Sequence, residues 1–376
     1  MSECFDIIIV GAGIVGGACA AECARAGLKT LVLDRGPIGG GTTAAGMGHI
    51  VVMDDSEAQF SLTAYSRRLW QELAPQLPNE AEYDPCGTLW VAADDQEMAE
   101  VRRKQSYYSQ RGVTVEVLDS AQLSAAEPNL RSGLAGGLRV PDDAVIYPPC
   151  AARFLLNLAR THGAQVRPGV QVEALLPEGG VKLADGSQLG AARAVNAIGP
   201  WSPELTPGLP VRKRKGHLVI TERYNGYVHH QLVELGYLKS AHAVHQDSVA
   251  FNIQPRKNGQ MLIGSSRQYN SDSTCVDHAV LERMLARAIE YLPGLGKLSA
   301  IRTWTGHRAA TPDKLPLIGP TIDDRIWLAT GHEGLGITTS LGTGRLLADL
   351  VMKRSTAIPA ALYSPTRFSA NGDSHG

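Results

Sequence analysis

The sequence predicts an α/β fold: a Rossmann-like unit joined to a second domain built on a mixed β-sheet. Three observations carry this. The stretch Phe5–Asp34 reads strand, glycine turn, helix, strand. Further apolar strands return late in the chain, at Ala192–Gly199 and Arg325–Ala329. Between them, from His217 to about Arg302, the text turns strand-like and mixed.

In the first stretch, the apolar run Phe5–Val10 suits a strand buried on both faces. Gly11, Gly13 and Gly16 follow with G-x-G-x-x-G spacing, then a small-residue helix over Ala12–Ala26. Gly11 permits a sharp turn, Gly13 a close approach to a pyrophosphate, and Gly16 helix-on-strand packing. The helix N-terminus offers free N–H groups and a positive dipole end to phosphates. The second strand, Lys29–Asp34, ends in an acid that suits ribose hydroxyls and argues against the 2′-phosphate of NADP. A chance glycine-rich turn is the competing reading, and four agreeing neighbours weigh against it.

The 376 residues suffice for one large or two ordinary domains. A formal net charge of −1 without a basic patch excludes nucleic acid as the expected partner and favours a small molecule. The six cysteines form no C-x-x-C and read as reduced thiols, so no iron–sulfur, zinc or other metal site is expected in the chain. His242 and His245 with Asp247 lack a third well-spaced ligand. The uncharged run Ile7–Ala21 follows Glu3 and Asp6 instead of a basic segment, and is too short and glycine-rich to span a bilayer. The expectation is a cytoplasmic protein with no transmembrane segment.

Helical spacing marks Ser56–Leu77, Gln96–Gly112, Asp119–Glu127, Cys150–His162, Asp277–Tyr291 and a closing helix over Gly342–Lys353. Strands are expected at Gly87–Ala92, Leu134–Val140, Gln165–Val172, Val181–Leu189 (paired through a turn at Asp185-Gly186), Ser248–Pro255 and Gln260–Gly264. The small-residue run Arg35–Ile50 is read as backbone packed on a ligand, with a mobile surface loop as the alternative. The basic run Arg212–Lys215 is either a solvated strand entry or a contact for an anionic cofactor or acidic partner.

Three blocks then specify a family. The glycine motif with Asp34, the strand end AVNAIGPWSPEL, and GHRAATPDKLPLIGP followed by WLATGHEGLGITTSLGTGRLLADLV together resemble the D-amino-acid oxidase-like flavoproteins, the glycine and sarcosine oxidase group. The wording TTAAGMGHIVVMDDS and GHEGLGITTSLGTGRLLAD is similar to the β-subunits of D-hydroxyproline dehydrogenases.

The resemblance implies non-covalent FAD, since no cysteine stands in Arg308–Ile318. By it, Gly11, Ala12, Gly13, Ile14, Val15 and Gly16 surround the pyrophosphate, Asp34 binds ribose, and Arg35 and Val172 lie at the adenine. Gly41, Thr42, Thr43, Ala45, Gly46, Met47 and Gly48 pass the isoalloxazine, with Ala197, Gly199, Trp201, Gly306 and Gly331 nearby. Gly334, Leu335, Gly336, Ile337 and Thr338 bring a helix N-terminus to the flavin pyrimidine, where its dipole favours the negative charge of the reduced ring.

Arg308 is implied to grip a substrate carboxylate, its alternative being a structural salt bridge with Asp313 or another acid, while His49, His307 and His332 are pocket candidates. Tyr269, Asn252 and Gln254 are candidate substrate contacts. The implied reaction is hydride transfer from the Cα–H of a D-amino or imino acid. The implied assembly adds an α-subunit and a small iron–sulfur subunit, carrying a further FMN or cluster. An oxygen-using D-amino acid, sarcosine or glycine oxidase and an opine oxidase subunit are the alternatives. Residues 1–85, 141–205 and 303–376 are expected to form the FAD-binding domain, and 86–140 and 206–302 the substrate domain.

Overall fold

A computed structural model describes residues 4–236, 247–269 and 271–371. Two eight-stranded sheets organise it, with a two-stranded pair, β3 (His49–Ile50) and β7 (Ala144–Val145), between them in sequence.

The first sheet uses β1 (Cys4–Val10), β2 (Thr30–Asp34), β8 (Gln165–Pro168), β11 (Gln188–Asn196), β17 (Leu317–Pro320) and β18 (Ile326–Thr330), in the order β17-β18-β11-β1-β2-β8. All neighbours are parallel except β17 and β18. β9 (Val172–Leu175) and β10 (Val181–Leu183) join it through β11.

Parallel strands need both faces covered, and β1 shows how. Ile7 and Ile9 pack toward the helices α1 (Ile14–Arg25), α6 (Pro148–Thr161) and α9 (Gly336–Val351). Phe5, Ile8 and Val10 pack with Val172, Leu175 and Val181. An apolar residue at every position of Ile7–Val10 follows from this two-sided burial.

The remaining helices are α2 (Gly41–Ala45), α3 (Glu57–Leu73), α4 (Asp95–Ser109), α5 (Ser120–Ala126), α7 (Ser202–Leu205) and α8 (His278–Tyr291). Ser56, Asp94 and Asp277 cap α3, α4 and α8 by accepting first-turn N–H bonds, and Asp119 with Gln122 closes a capping box on α5. Among the described residues, no helix is long and apolar enough to cross a membrane.

The second sheet runs β16-β12-β15-β14-β13-β4-β6-β5: β4 (Thr88–Ala92), β5 (Glu116–Asp119), β6 (Gly136–Val140), β12 (Arg212–Thr221), β13 (Gln231–Glu234), β14 (Ser248–Pro255), β15 (Met261–Arg267) and β16 (Ala300–Ala310). One pair, β13 with β4, is parallel and the rest antiparallel. One face packs Leu89, Leu232, Phe251, Ile253 and Ile263 against Met284, Ala288 and Tyr291 of α8. The opposite face looks toward the first sheet's cavity.

Several expectations differ from this structure. Residues 303–310, expected with the first sheet's domain, lie in β16 and pair along β12 of the second sheet, from Arg212 opposite Ala310 to Thr221 opposite Ala300. The expected strand Gln165–Val172 is two strands broken by Gly169, which has φ +78°. The closing helix starts six residues earlier than Gly342. The basic run is a solvated entry only at its start: Arg212 is exposed and Lys213 half-buried, while Arg214 and Lys215 are buried within β12.

Candidate active site

The carboxyl ends of the parallel strands are where an open α/β sheet leaves a crevice. Val10 ending β1, Gly11 after it, Asp34 ending β2, Ala197 after β11 and Ala329 in β18 line a cavity of roughly 540 Å³. Its far wall is the second sheet, through Gly216, Leu218, Asn252, Ser265, Gly306 and Arg308. The volume lies within the roughly 300–1,000 Å³ usual for cofactor sites.

At the near end, Asp34 holds the turn. Its carboxylate accepts the Ala12 N–H at 2.6 Å and the Gly36 N–H at 2.7 Å. Two of its roughly four acceptor positions are thereby used, leaving others for a ribose. Gly11 has φ +118°, and a side chain there would strike the Ala197 carbonyl at 2.5 Å. Arg35 lies over the Trp201 ring at 5.3 Å and 3.6 Å from Glu204. Val172 lines the same end.

In the middle, the first turn of α1 presents amides without intrahelical acceptors. Thr43 accepts one, the Ile14 N–H, at 3.0 Å. Thr42 donates to the His307 carbonyl at 2.8 Å, tying the Gly41–Gly48 segment to β16. That segment is a short helix, α2, followed by extended chain, so the small residues serve close packing. Gln254 holds its end by donating to the Met47 carbonyl at 3.0 Å.

At the far end, Arg308 projects from β16 and its Nη1 donates to the Ser266 carbonyl at 3.0 Å. The guanidinium lies on Gly216 of β12, where a Cβ would meet Nη1 at 2.6 Å. Only glycine leaves room for it there. Asp313, the alternative partner for Arg308, is instead bound by Arg367 at 2.7 Å. His49 is partly buried; desolvation, then the nearby Arg308 charge, push its pKa down to about 4. It is a neutral ring, and its Nε2 has no hydrogen-bond partner among the described residues. His332 is pushed down to about 3 by burial and its Nε2 meets Thr343 Oγ1 at 3.0 Å. Neither imidazole carries charge near neutral pH. His307 Nε2 lies 3.1 Å from the Ser271 carbonyl.

Of the residues expected around the cofactor, Gly11, Gly13, Ile14, Val15, Asp34, Arg35, Gly41, Thr42, Thr43, Ala45, Gly46, Met47, Gly48, Val172, Ala197, Gly199, Trp201, Gly306, Arg308, Gly334, Gly336 and Ile337 share this wall, with His49, His307 and His332. Five lie behind it. Ala12 is in the helix-side core, and Gly16 abuts the Gly11 carbonyl, where a Cβ would come within 1.9 Å. Gly331 packs on Thr311 and Leu317, and Leu335 faces a neighbouring smaller cavity. Thr338 donates its hydroxyl to the His49 carbonyl at 2.8 Å. Asn252 is on the wall; Tyr269 instead stacks 4.8 Å from Arg214. His242 and His245 lie outside the described residues; Asp247 accepts from Gln268 and Tyr269. No three-residue cluster that could hold a metal occurs among the described residues.

Glu333 is the main residue that sequence reasoning missed. It adopts φ +52° and lines the cavity. One carboxylate oxygen takes Arg214 Nη1 at 2.6 Å, while Oε2 is buried without a hydrogen-bond partner. A signal existed: an acid between two glycines, beside the block containing Arg308. Gly216 was missed because its role depends on a cross-strand neighbour 92 positions away, which no local pattern reports.

These residues fit an FAD. The carboxylate end, the uncapped helix start and the glycine-shaped middle suit an adenosine diphosphate, and the N-terminal turn of α9 favours negative charge on a reduced ring. The family model for DAO, the FAD-dependent oxidoreductases, matches residues 6–350. The chain belongs to the DAO family of FAD-dependent oxidoreductases. It is similar to the glycine oxidase of Pseudomonas aeruginosa (29% identical, covering 97% of this chain and 99% of that protein). It is also similar to the hydrogen cyanide synthase subunit HcnC of the same organism (26%, 98% and 97%). The crystal structure of glycine oxidase from Geobacillus kaustophilus superposes with a TM-score of 0.87 at 25% identity, over 97% of this chain and 99% of that one. This DAO member is therefore an FAD-dependent oxidoreductase.

Proposed function

We propose that this enzyme oxidises a small D-amino or imino acid, with cis-4-hydroxy-D-proline the favoured substrate, as the catalytic subunit of a multi-subunit dehydrogenase. The observation that carries the reading is the Arg308 guanidinium, seated on Gly216 at the cavity's far end beside a neutral His49. A guanidinium fork suits a carboxylate bidentately, which fixes the substrate's Cα against the cofactor. The buried Oε2 of Glu333 accepts the substrate amine N–H, keeping its lone pair oriented as the C=N bond forms. Bound FAD supplies the hydride acceptor, N5. Burial and the positive charge of Arg308, which together hold His49 neutral, also disfavour a second cation there and so favour the neutral amine.

The multi-subunit reading rests on the resemblance to dehydrogenase β-subunits and on the likeness to HcnC, which is named as a subunit. An α-subunit and a small iron–sulfur subunit, with a second flavin or cluster, then take the electrons. The likeness to glycine oxidases favours a second reading, a free-standing oxidase that reduces oxygen. Substrate-reduced enzyme is mixed with air and, separately, with a one-electron dye. Reoxidation by dye and not by air is the expected result. Fast reoxidation by air overturns the multi-subunit reading in favour of the oxidase.

A further inference from the structure

Beyond the flavin cavity lies a second hollow of roughly 100 Å³. His49, Asn252, Glu333 and Gly334 line both, so the hollow continues the main cavity past the end where Arg308 stands. The sheet register explains its floor. Trp90, Val233 and Asn252 stand side by side on β4, β13 and β14, with Gln231 two residues along β13 from Val233. All four are buried.

The polar atoms there are unusual. Trp90 Nε1, Gln231 Oε1 and Asn252 Oδ1 each have less than 1 Å² exposed and no hydrogen-bond partner among the described residues. Each such atom is costly unless something meets it, and a fold leaves few of them. The residues of this one small hollow also carry Glu333 Oε2 and His49 Nε2 on the side shared with the main cavity, besides these three on its floor, and the floor set is one donor and two acceptors.

We propose that this hollow is a substrate subsite that binds a hydroxyl carried on the ring or short side chain of the amino acid. A hydroxyl both donates and accepts, so it takes the Trp90 N–H and gives its proton to Gln231 or Asn252. The two cations Arg214 and Lys314 in the hollow's wall already face carboxylates, Glu333 at 2.6 Å and Asp55 at 3.6 Å. Arg267 also lines it, which makes a second substrate carboxylate the competing occupant. The inference deepens the amino-acid reading above, because it names what distinguishes the preferred substrate from its unsubstituted analogue.

The test uses FAD-loaded enzyme and ring acids that lack the amine and so bind without reacting. Flavin absorbance reports the binding of cyclopentane carboxylate, cis-3-hydroxycyclopentane-1-carboxylate and cis-cyclopentane-1,3-dicarboxylate. The hydroxylated ring is expected to bind at least about tenfold tighter than the plain ring, since a site built for a hydroxyl rejects the analogue lacking it. Gln231→Met, Asn252→Leu and Trp90→Phe are each expected to shrink that ratio about tenfold. Trp90→Phe removes the N–H while keeping an aromatic ring in the apolar wall, and carries the test if a polar-to-apolar change unfolds the protein. Equal binding of the plain and hydroxylated rings by the natural enzyme, or a ratio untouched by all three variants, overturns the subsite. Tightest binding by the dicarboxylate overturns the hydroxyl in favour of a second carboxylate. If the rings discriminate as expected while no D-amino acid reduces the flavin, the subsite stands and the oxidation reading falls.

Discussion

Replacing Gly216 by alanine isolates what the site owes to one cross-strand contact. The added Cβ would come within 2.6 Å of Arg308 Nη1, 2.8 Å of Nη2 and 2.9 Å of Cζ. Ordinary contact begins near 3.4 Å, so the guanidinium must retreat by about 0.8 Å. The clash is with the tip of a long side chain and not with backbone, so the fold absorbs it by moving Arg308. Alanine also loses less backbone entropy than glycine in a strand, which makes the change nearly neutral for stability. The cost falls on geometry. A misplacement approaching 1 Å can lower turnover about 100-fold, and a charge-assisted hydrogen bond is worth about 1.5–3 kcal/mol. We expect kcat/KM for the best amino acid to fall by about 10- to 100-fold in Gly216→Ala, with flavin content and melting temperature close to those of the natural enzyme. Steady-state kinetics beside a thermal melt check this. An unchanged kcat/KM in a folded, flavin-loaded variant would refute the placement of Arg308 as the carboxylate anchor.

Other expectations follow from the same structure. Arg308→Lys keeps the charge but loses the bidentate fork, so substrate KM should rise at least about tenfold, measured against a neutral-substrate control for flavin loading. His332 has its folded pKa lowered to about 3, so the unfolded chain takes the proton first and stability falls as pH drops below 6.5. Chemical denaturation at pH 7 and pH 5 should show His332→Asn losing about 2 kcal/mol less than the natural enzyme over that interval. Asp143, raised to about 6 by burial despite its partner Arg67 at 2.8 Å, becomes an unpaired buried acid in Arg67→Leu. A raised folded pKa gives stability that is lost as pH rises through it. The variant should therefore be about 3–5 kcal/mol less stable at pH 8 and recover part of that at pH 5, as Asp143 takes a proton.

Residues whose roles are set by their own neighbours in sequence were legible. Gly11, Gly13 and Asp34 sit in one strand–turn–helix–strand unit, and all three reach the cavity. Phe5–Val10 announced a doubly covered strand, which β1 is. What escaped depends on pairing between distant strands. β16 reads as mixed polar text because its outer end is exposed and its inner end carries the site, so no two-residue alternation runs its length. Arg214 and Lys215 looked solvated, since a basic run gives no sign that its strand lies inside a sheet. Trp90 and Asn252, level with Val233, and Gln231 two residues along β13 gain meaning only when cross-strand register gathers them on one small hollow, which Glu333 shares with Arg308's cavity.

The most direct test of the account is anaerobic reduction of the bound flavin. Oxygen-free, FAD-loaded enzyme is mixed with cis-4-hydroxy-D-proline, and in parallel with D-proline, sarcosine, glycine and an opine. The account predicts rapid bleaching of the oxidised flavin band, fastest with the hydroxylated ring and abolished or slowed at least about 100-fold in Arg308→Met. A flavin that stays oxidised with every one of these amines, in enzyme that binds FAD normally, would contradict the assignment of this cavity to amino-acid oxidation.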